Sequence, residues 1–167
     1  SSQRRFSTYL FAAGHDQARA IALYLWNAKL GASFHVPIQA TEIALRNRIN
    51  YALVSQFGPD WWRENTFLDL IDRERTADLK VVRSRILHKG LVLETDQIVA
   101  SLSFGFWVGM LHRKYNPVLW SKQLRRAFPG LPPTETRGSV FSLAAKVAMF
   151  RNRISHHEPL IKENASQ

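Results

Sequence analysis

Apolar residues recur at helical spacing along most of the chain, and this pattern constrains the fold more than any other feature. They lie three or four positions apart within residues 16–57, 66–89, 95–111, 117–128 and 137–155. Such spacing gives each helix one apolar stripe. No stretch shows the period-two alternation of a half-buried strand, so the sequence predicts an all-α helical bundle of about five to seven helices.

Proline, glycine and capping residues divide these stretches. Pro37 lacks an amide donor, so we expect the first long stretch to break or kink near residues 35–37. The other candidates for turns and caps are Gly58-Pro59-Asp60, Gly90, and Thr95 or Asp96.

Length and composition indicate a single domain covering residues 1–167. The chain is 46% hydrophobic, which is enough to fill a core of this size. Cysteine is absent, so disulfides, thiolate zinc sites and a cysteine nucleophile are excluded. The sequence shows neither an apolar leader nor an uninterrupted apolar run of about 18 residues. We therefore expect a cytoplasmic protein that does not enter membranes.

Positive charge is the second marked feature of the chain. It has 23 Lys and Arg against 13 Asp and Glu, a formal net charge of +10, and sixteen of the cations are Arg. A polyanion such as RNA is the natural partner, and guanidinium groups pair bidentately with phosphate. Because the charges are spread along the chain, a merely basic and well-solvated surface is the alternative.

The best candidate for a catalytic motif lies near the C-terminus. Arg151 and His156 form an R-x4-H pair, and Asn152 directly follows the Arg. The pair alone is a weak signal, because roughly two matches are expected by chance in such a chain. Arg83 and His88 also match. The C-terminal pair differs because it lies at the predicted end of a helix, within the sequence RNRISHHEP.

A larger set of sequence blocks surrounds this motif. In chain order the blocks are RRFSTYLFAAGHDQARAIALYLWNAKL, IQATEIALRNRINYAL, FGPDWW, SLSFGFWVGML, a spaced LW and LRRAFP, and RNRISHHEP. They span nearly the whole chain, and their ordered set resembles the Abi-like family of bacterial abortive-infection proteins. The resemblance implies a HEPN fold, a helical bundle that usually dimerises and in many members cleaves RNA without a metal. Several HEPN branches only bind RNA or partner proteins.

The resemblance assigns chemistry to the C-terminal pair. His156 would act as general base and acid, since histidine exchanges protons near neutral pH. Arg151 would bind the phosphate that gains charge during attack. On an ideal helix these side chains point about 140° apart, so they do not share a face. Asn152 does share a face with His156 and could orient the imidazole, while a site formed across a homodimer axis would also remove the difficulty.

Two further groups of residues each have a functional and a structural interpretation. His157 is a candidate second active-site histidine, or it lies exposed beside Arg153. The histidine pair also has an ordinary use as a C-terminal helix cap. Glu42, Arg46 and Asn47 form a polar set that the resemblance places near the C-terminal motif. A buried Arg–carboxylate pair that only fixes the bundle is the alternative for this set.

The leading interpretation is a metal-independent endoribonuclease of phage-defence or toxin–antitoxin type, with RNA as substrate and an antitoxin or regulatory RNA as candidate partner. The sequence shows no motif for a metal or a cofactor. Glu158 stands where HEPN toxins silenced by adenylylation carry a tyrosine, which argues against that control. A non-catalytic module that binds RNA or a protein is the first alternative. A purely structural helical oligomer ranks last.

Overall fold

A computed structural model of the protein describes residues 2–160, with side chains described from Phe6 onward. The α-helices are α1 (Ser2–Ala12), α2 (Gln17–Ser33), α3 (His35–Phe57), α4 (Asn65–Leu68), α5 (Arg73–His88), α6 (Thr95–Ser101), α7 (Phe104–Met110), α8 (Ser121–Ala127) and α9 (Arg137–Ser155). Short 3-10 segments lie at Trp61–Arg63 and Arg113–Tyr115, and a π-helical segment lies at Asn116–Trp120. Residues 2–160 contain no strand, and the all-α prediction is confirmed.

The break between the first two long helices lies at Phe34, directly before the predicted residues 35–37. α2 ends at Ser33, and α3 begins at His35. Pro37 therefore lies in the first turn of α3, where a missing amide donor breaks no hydrogen bond. α9 has the predicted bounds and ends shortly before Pro159, as predicted.

The stretch predicted as one helix over residues 66–89 is divided into α4 and α5, so that prediction is wrong. Asp72 is the N-cap of α5, and its carboxylate accepts a hydrogen bond from the Arg75 amide at 2.8 Å. The same carboxylate accepts hydrogen bonds from Lys114 and, at 3.4 Å, from the Tyr115 hydroxyl. A carboxylate that satisfies the free amides of a first turn favours a new helix start at this position.

The stretch predicted as one helix over residues 95–111 is also divided, into α6 and α7. Leu102 is extended, and the Ser103 hydroxyl caps α7 by accepting a hydrogen bond from the Phe106 amide at 3.2 Å. The N-cap of α6 is Glu94, one residue before the predicted candidates. Two predicted helices are divided, and α1 lies outside the stretches predicted as helical, so the described chain contains more helices than the five to seven predicted.

The chain divides into two compact units. The central unit comprises residues 42–148, and the terminal unit comprises, among the described residues, 2–41 together with 149–160. The prediction of one domain over residues 1–167 stays a prediction. Among the residues that the structure describes, no helix is both long enough and apolar enough to span a membrane.

Large aromatic side chains form the core of the central unit. Trp61 is fully buried, and its ring centroid lies 4.9 Å from that of Phe67 and 6.1 Å from that of Trp107. Its indole N–H donates to the Asn50 side chain at 2.8 Å, and the indole of Trp120 donates to a backbone carbonyl at 2.8 Å. Because the polar ends of both indoles are satisfied, these rings are buried without a lost hydrogen bond.

The core of the terminal unit is smaller. Tyr9, Ala13 and Ala20 are buried where α1 packs on α2, and Asp16 caps α2 by accepting a hydrogen bond from a backbone amide. The ring of Tyr24 meets that of Tyr9 edge-on, with centroids 5.6 Å apart and an interplanar angle of 86°. Burial, with a smaller effect of Tyr24, raises the pKa of Tyr9 above its ordinary value.

Candidate active site

The C-terminal motif occupies the end of α9, within the terminal unit. After Ser155 the amide of His157 donates to the Ile154 carbonyl at 3.0 Å, and the amide of Glu158 donates to the Arg153 carbonyl at 2.9 Å. This pair of hydrogen bonds is the Schellman motif, which turns the chain away from a helix through one left-handed residue. His157 is that residue, with a φ of 54°. The RNRISHH segment therefore ends its helix, as predicted.

The same motif ends two other helices, and there the left-handed position holds glycine. Gly14 follows α1 with a φ of 64°, and Gly90 follows α5 with a φ of 70°; Gly90 is the C-cap candidate of the sequence. A side chain at this position is disfavoured by roughly 1–2 kcal/mol, because its Cβ approaches the backbone. His157 is thus a locally unfavourable choice of residue. His15, which follows Gly14, has a φ of 65° as well, so the conformation alone does not mark a functional histidine. Residues in such conformations cluster at functional sites, and together with its place beside His156 this makes His157 a candidate for a role there.

The segment after the motif is held by three contacts within the terminal unit. The Arg153 guanidinium pairs with the Glu158 carboxylate at 3.6 Å and donates to the Pro159 carbonyl. The Leu160 amide donates to the side-chain oxygen of Asn27 at 2.6 Å, and Asn27 is buried on α2. These contacts fix the direction in which the chain leaves α9, and Arg153 therefore has a structural role.

The two candidate catalytic residues are both exposed on the last turns of α9. The Arg151 guanidinium donates to the Asn152 side-chain oxygen at 3.4 Å, and the His156 amide donates to the Asn152 backbone carbonyl at 2.9 Å. Helical geometry continues through His156, so the angle of about 140° between Arg151 and His156 is retained. Asn152 contacts Arg151 through its side chain, and its orientation of the imidazole stays a prediction.

The second polar set lies on α3, in the central unit. The Nε of Arg46 donates to the Asn47 side-chain oxygen at 3.2 Å, the same Arg-to-Asn contact that the C-terminal RNRI string makes. Glu42 lies one turn before Arg46, and both residues are partly buried, whereas Asn47 is exposed. The proximity of this set to the C-terminal motif stays a prediction.

The other R-x4-H pair of the chain, Arg83 and His88 on α5, also lies at a surface depression. Arg83 and His88, with Lys80, line a cavity of about 560 Å³ in the central unit. The Arg83 guanidinium lies 5.6 Å from the ring centroid of Trp62, which is buried. A cation over an indole face is a stabilising contact, so Arg83 has a structural explanation that needs no catalysis.

A pocket that the sequence did not indicate lies beside the C-terminal motif. It has a volume of about 320 Å³ and is formed by α2, the start of α3 and the turn that follows α9, all within the terminal unit. Tyr24, Gly31 and Ile154 contribute apolar surface, and His157 and Glu158 contribute polar groups. We call it the α2–α9 pocket. Residues more than 120 positions apart in the sequence line it, so no local pattern could have predicted it.

A basic depression lies at the start of α9, in the central unit. Arg113, Lys114 and Arg137 line a cavity of about 490 Å³ there. Lys114 pairs with Asp72, and Arg137 donates to the Leu111 carbonyl. Desolvation opposes the charged form of Lys114, but the hydrogen bonds and charges of Asp72 and Tyr115 together outweigh it and raise the pKa of Lys114. Because Asp72 compensates the charge of Lys114, the positive field at this depression comes mainly from the guanidinium groups of Arg113 and Arg137.

Comparison with known proteins gives no match: no family model, no curated protein and no solved structure is significantly similar to the chain. The resemblance to the Abi-like family therefore stays a prediction. Within residues 2–160 no three His, Cys, Asp or Glu side chains are grouped so that they could hold a metal ion.

Proposed function

We propose that the protein is a cytoplasmic, metal-independent endoribonuclease of the HEPN type, acting in phage defence or toxin–antitoxin control. The observation that carries the proposal is the end of α9, where His156 is followed by His157 in a left-handed conformation that glycine would adopt more easily. Two adjacent imidazoles and the Arg151 guanidinium are exposed on the same short segment. These are the groups that transesterification of RNA requires.

The proposed reaction is an internal attack of a ribose 2′-hydroxyl on the adjacent phosphorus. His156 removes the proton from the 2′-oxygen as the new O–P bond forms, and Arg151 stabilises the charge that builds on the phosphate oxygens. The bond from phosphorus to the 5′-oxygen breaks, and that oxygen takes a proton from an imidazolium, for which His157 is a candidate. The products are a 2′,3′-cyclic phosphate and a 5′-hydroxyl.

A homodimer is part of the proposal. Arg151 and His156 point about 140° apart on one helix, so Arg151 of one protomer and His156 of the other would form a composite site across a two-fold axis. An antitoxin or a regulatory RNA would silence such a site by covering it. The net charge of +10 and the basic depression at Arg113 support RNA as the substrate.

The experiment is incubation of the purified chain with end-labelled cellular RNA in the presence of EDTA. The proposal expects fragments that carry a 2′,3′-cyclic phosphate and a 5′-hydroxyl. Cleavage that starts only after Mg²⁺ is added would overturn the mechanism. Salt-sensitive RNA binding without cleavage would instead favour a non-catalytic binding module, since counterion release makes phosphate contacts weaken with salt.

Light scattering tests the dimer separately. The expected mass at micromolar concentration is twice that of the 19.2 kDa chain. A monomer that still cleaves RNA would show that one chain contains the whole site and would remove the composite arrangement.

A further inference from the structure

Helix α2 carries apolar residues on two of its faces. The inner face packs within the terminal unit, and Ala20, Asn27 and Gly31 are buried on it. The outer face carries four exposed residues at successive intervals of four, three and four positions, which are Ile21, Leu25, Ala28 and Ala32. We call these four residues the outer stripe. A helix that is apolar on both sides is normally covered on both sides, and the fold of one chain covers only the inner face.

The spacing of the outer stripe is that of a seam between two helices. Alternating steps of three and four residues keep side chains on the line along which paired helices touch. The first half of the stripe carries large side chains and the second half carries only methyl groups. In an antiparallel pair centred between residues 26 and 27, Ile21 faces the partner's Ala32, and Leu25 faces the partner's Ala28. Large side chains then meet small ones in every layer, so the stripe is complementary to itself.

The distribution of charge also favours a second copy of the chain as the occupant of this face. The chain carries a net charge of +10, so two copies repel each other over most of their surfaces. Residues 20–28 contain no charged side chain. Lys29 lies about 70° around the helix from the middle of the stripe, at a position that flanks a seam and stays in water. Two copies can therefore meet along α2 without placing like charges opposite each other.

The area of this surface is of the order that a dimer needs. Ile21, Tyr24 and Leu25 are each about half exposed, and a half-exposed side chain of this size presents on the order of 80 Å². With the two alanines, the surface offers roughly 300 Å² of apolar area, a size of patch that is often functional on a monomer. A stable interface buries about 800 Å² per partner, of which somewhat over half is apolar. The outer stripe can thus form the apolar centre of such an interface.

The position of the outer stripe relates it to the candidate active site. The inner face of α2 holds the end of α9, since a Cβ at Gly31 would lie 3.6 Å from the Ile154 side chain and Asn27 accepts the hydrogen bond from the Leu160 amide. Along the helix, Asn27 and Gly31 both lie within about 7 Å of the midpoint of the stripe. A two-fold axis through that midpoint therefore brings the ends of both α9 helices close to the axis.

We propose that two copies of the chain associate through the outer stripe of α2, paired antiparallel about a two-fold axis, and that this pairing brings the two C-terminal motifs together. The inference rests on the proposed function, which requires a homodimer. It adds the surface that forms the dimer and the register in which the two helices pair.

Leu25→Glu tests the surface without disturbing the fold, because Leu25 is about half exposed and glutamate is a good helix former. A symmetric dimer would contain the substitution twice and would bury two unpaired charges, so its dissociation constant should rise at least about 100-fold in sedimentation experiments. Leu143→Glu is the matched control, because Leu143 is exposed on α9 in the central unit, and it should leave the constant unchanged. A dimer that survives Leu25→Glu would overturn the inference.

An exchange of sizes within one layer tests the antiparallel register. Leu25→Ala removes the large side chain from both Leu25–Ala28 layers and should weaken the dimer at least about tenfold. Adding Ala28→Leu to this variant restores one large and one small side chain in each layer. The double variant should therefore dimerise within about threefold of the unmodified chain. If it dimerised no better than Leu25→Ala, the antiparallel pairing would be wrong.

RNA cleavage by the same variants separates this inference from the proposed function. Leu25→Glu should not cleave RNA at concentrations where it is monomeric, because the composite site needs two chains. A monomeric Leu25→Glu that cleaves at the unmodified rate would support the interface and overturn the composite site. An unmodified chain that is monomeric at micromolar concentration and floats with vesicles of phosphatidylserine and phosphatidylcholine would overturn the interface. Cleavage of RNA by that monomer would still support the ribonuclease.

Discussion

The central and terminal units of this chain differ in what they bury and in what they expose. The central unit packs Trp61, Trp107 and Trp120 into a continuous aromatic core, whereas the terminal unit buries Tyr9 and two alanines among its described residues. The terminal unit instead exposes both histidines of the candidate site and encloses a pocket beside them. Functional sites commonly lie in the less densely packed parts of a fold, where local motion has a low energetic cost.

The largest expected effect is the loss of an aromatic core residue. Trp61→Ala should lower the free energy of unfolding by about 3–5 kcal/mol, because it removes a fully buried indole and leaves a cavity. Trp26→Ala in the terminal unit is the control, and its effect should stay within about 0.5 kcal/mol because Trp26 is half exposed. Urea unfolding followed by circular dichroism measures both. Equal losses for the two variants would show that packing does not distinguish the units as described.

A smaller effect concerns the cap that divides the predicted helix. Asp72→Ala should lower the free energy of unfolding by about 1–2 kcal/mol, because α5 loses its N-cap and Lys114 loses its partner. Asp72→Asn keeps the capping oxygen and should cost less than half as much. If the two variants were equally destabilised, the charge of Asp72 and not its cap would determine the start of α5.

The next effect has the opposite sign and concerns the terminal unit. His157→Gly should raise the local stability at the end of α9 by about 0.5–1 kcal/mol, since glycine adopts a φ of 54° without strain. Gly90→His, the reverse exchange in the same motif after α5, should cost a similar amount, because a Cβ at Gly90 meets no atom within 4 Å. Hydrogen exchange of the Glu158 and Leu91 amides would measure the two changes. A loss of stability in His157→Gly would mean that the imidazole contributes to the fold.

The smallest effect is the dependence of stability on pH. Desolvation would raise the pKa of Asp72, but the hydrogen bond and charge of Lys114 and the Arg75 amide outweigh it and lower that pKa. The folded state thus favours the charged carboxylate of Asp72. Its contribution to the free energy of unfolding is therefore present above the ordinary pKa of 3.8 and is lost as the pH falls below that value. Both side chains are about one-third exposed, so we expect less than about 1 kcal/mol. Asp72→Asn should remove this part of the acid destabilisation when urea midpoints are compared at pH 6 and pH 3. An unchanged difference would exclude Asp72 as its source.

Local sequence patterns predicted the all-α class, the break before α3 and the end of α9, because periodicity, proline and capping act over a few residues. They did not predict the start of α5, since Asp72 is held by Lys114 and Tyr115, more than 40 positions away. The apolar stripe continues through that position and gives no sign of the break.

The sequence predicted which residues form the candidate site but not their backbone conformation or surroundings. The positions of Arg151 and His156 follow from the sequence, whereas the left-handed conformation of His157 contradicts the usual preference for glycine at that position. The α2–α9 pocket depends on the packing of Gly31 against Ile154, and the helical spacing of apolar residues does not predict such a contact between distant positions.

The central claim is that the end of α9 is where RNA is cleaved, and the most direct measurement is single-turnover cleavage by His156→Ala with RNA affinity measured in the same samples. The account predicts a rate at least about 100-fold lower, because the proton carrier is lost, and an affinity within about threefold of the unmodified chain, because every Arg remains. Arg151→Ala should lower both quantities. His88→Ala, the matched control at the chance motif, should leave both unchanged. Cleavage by His156→Ala at the unmodified rate would contradict the account.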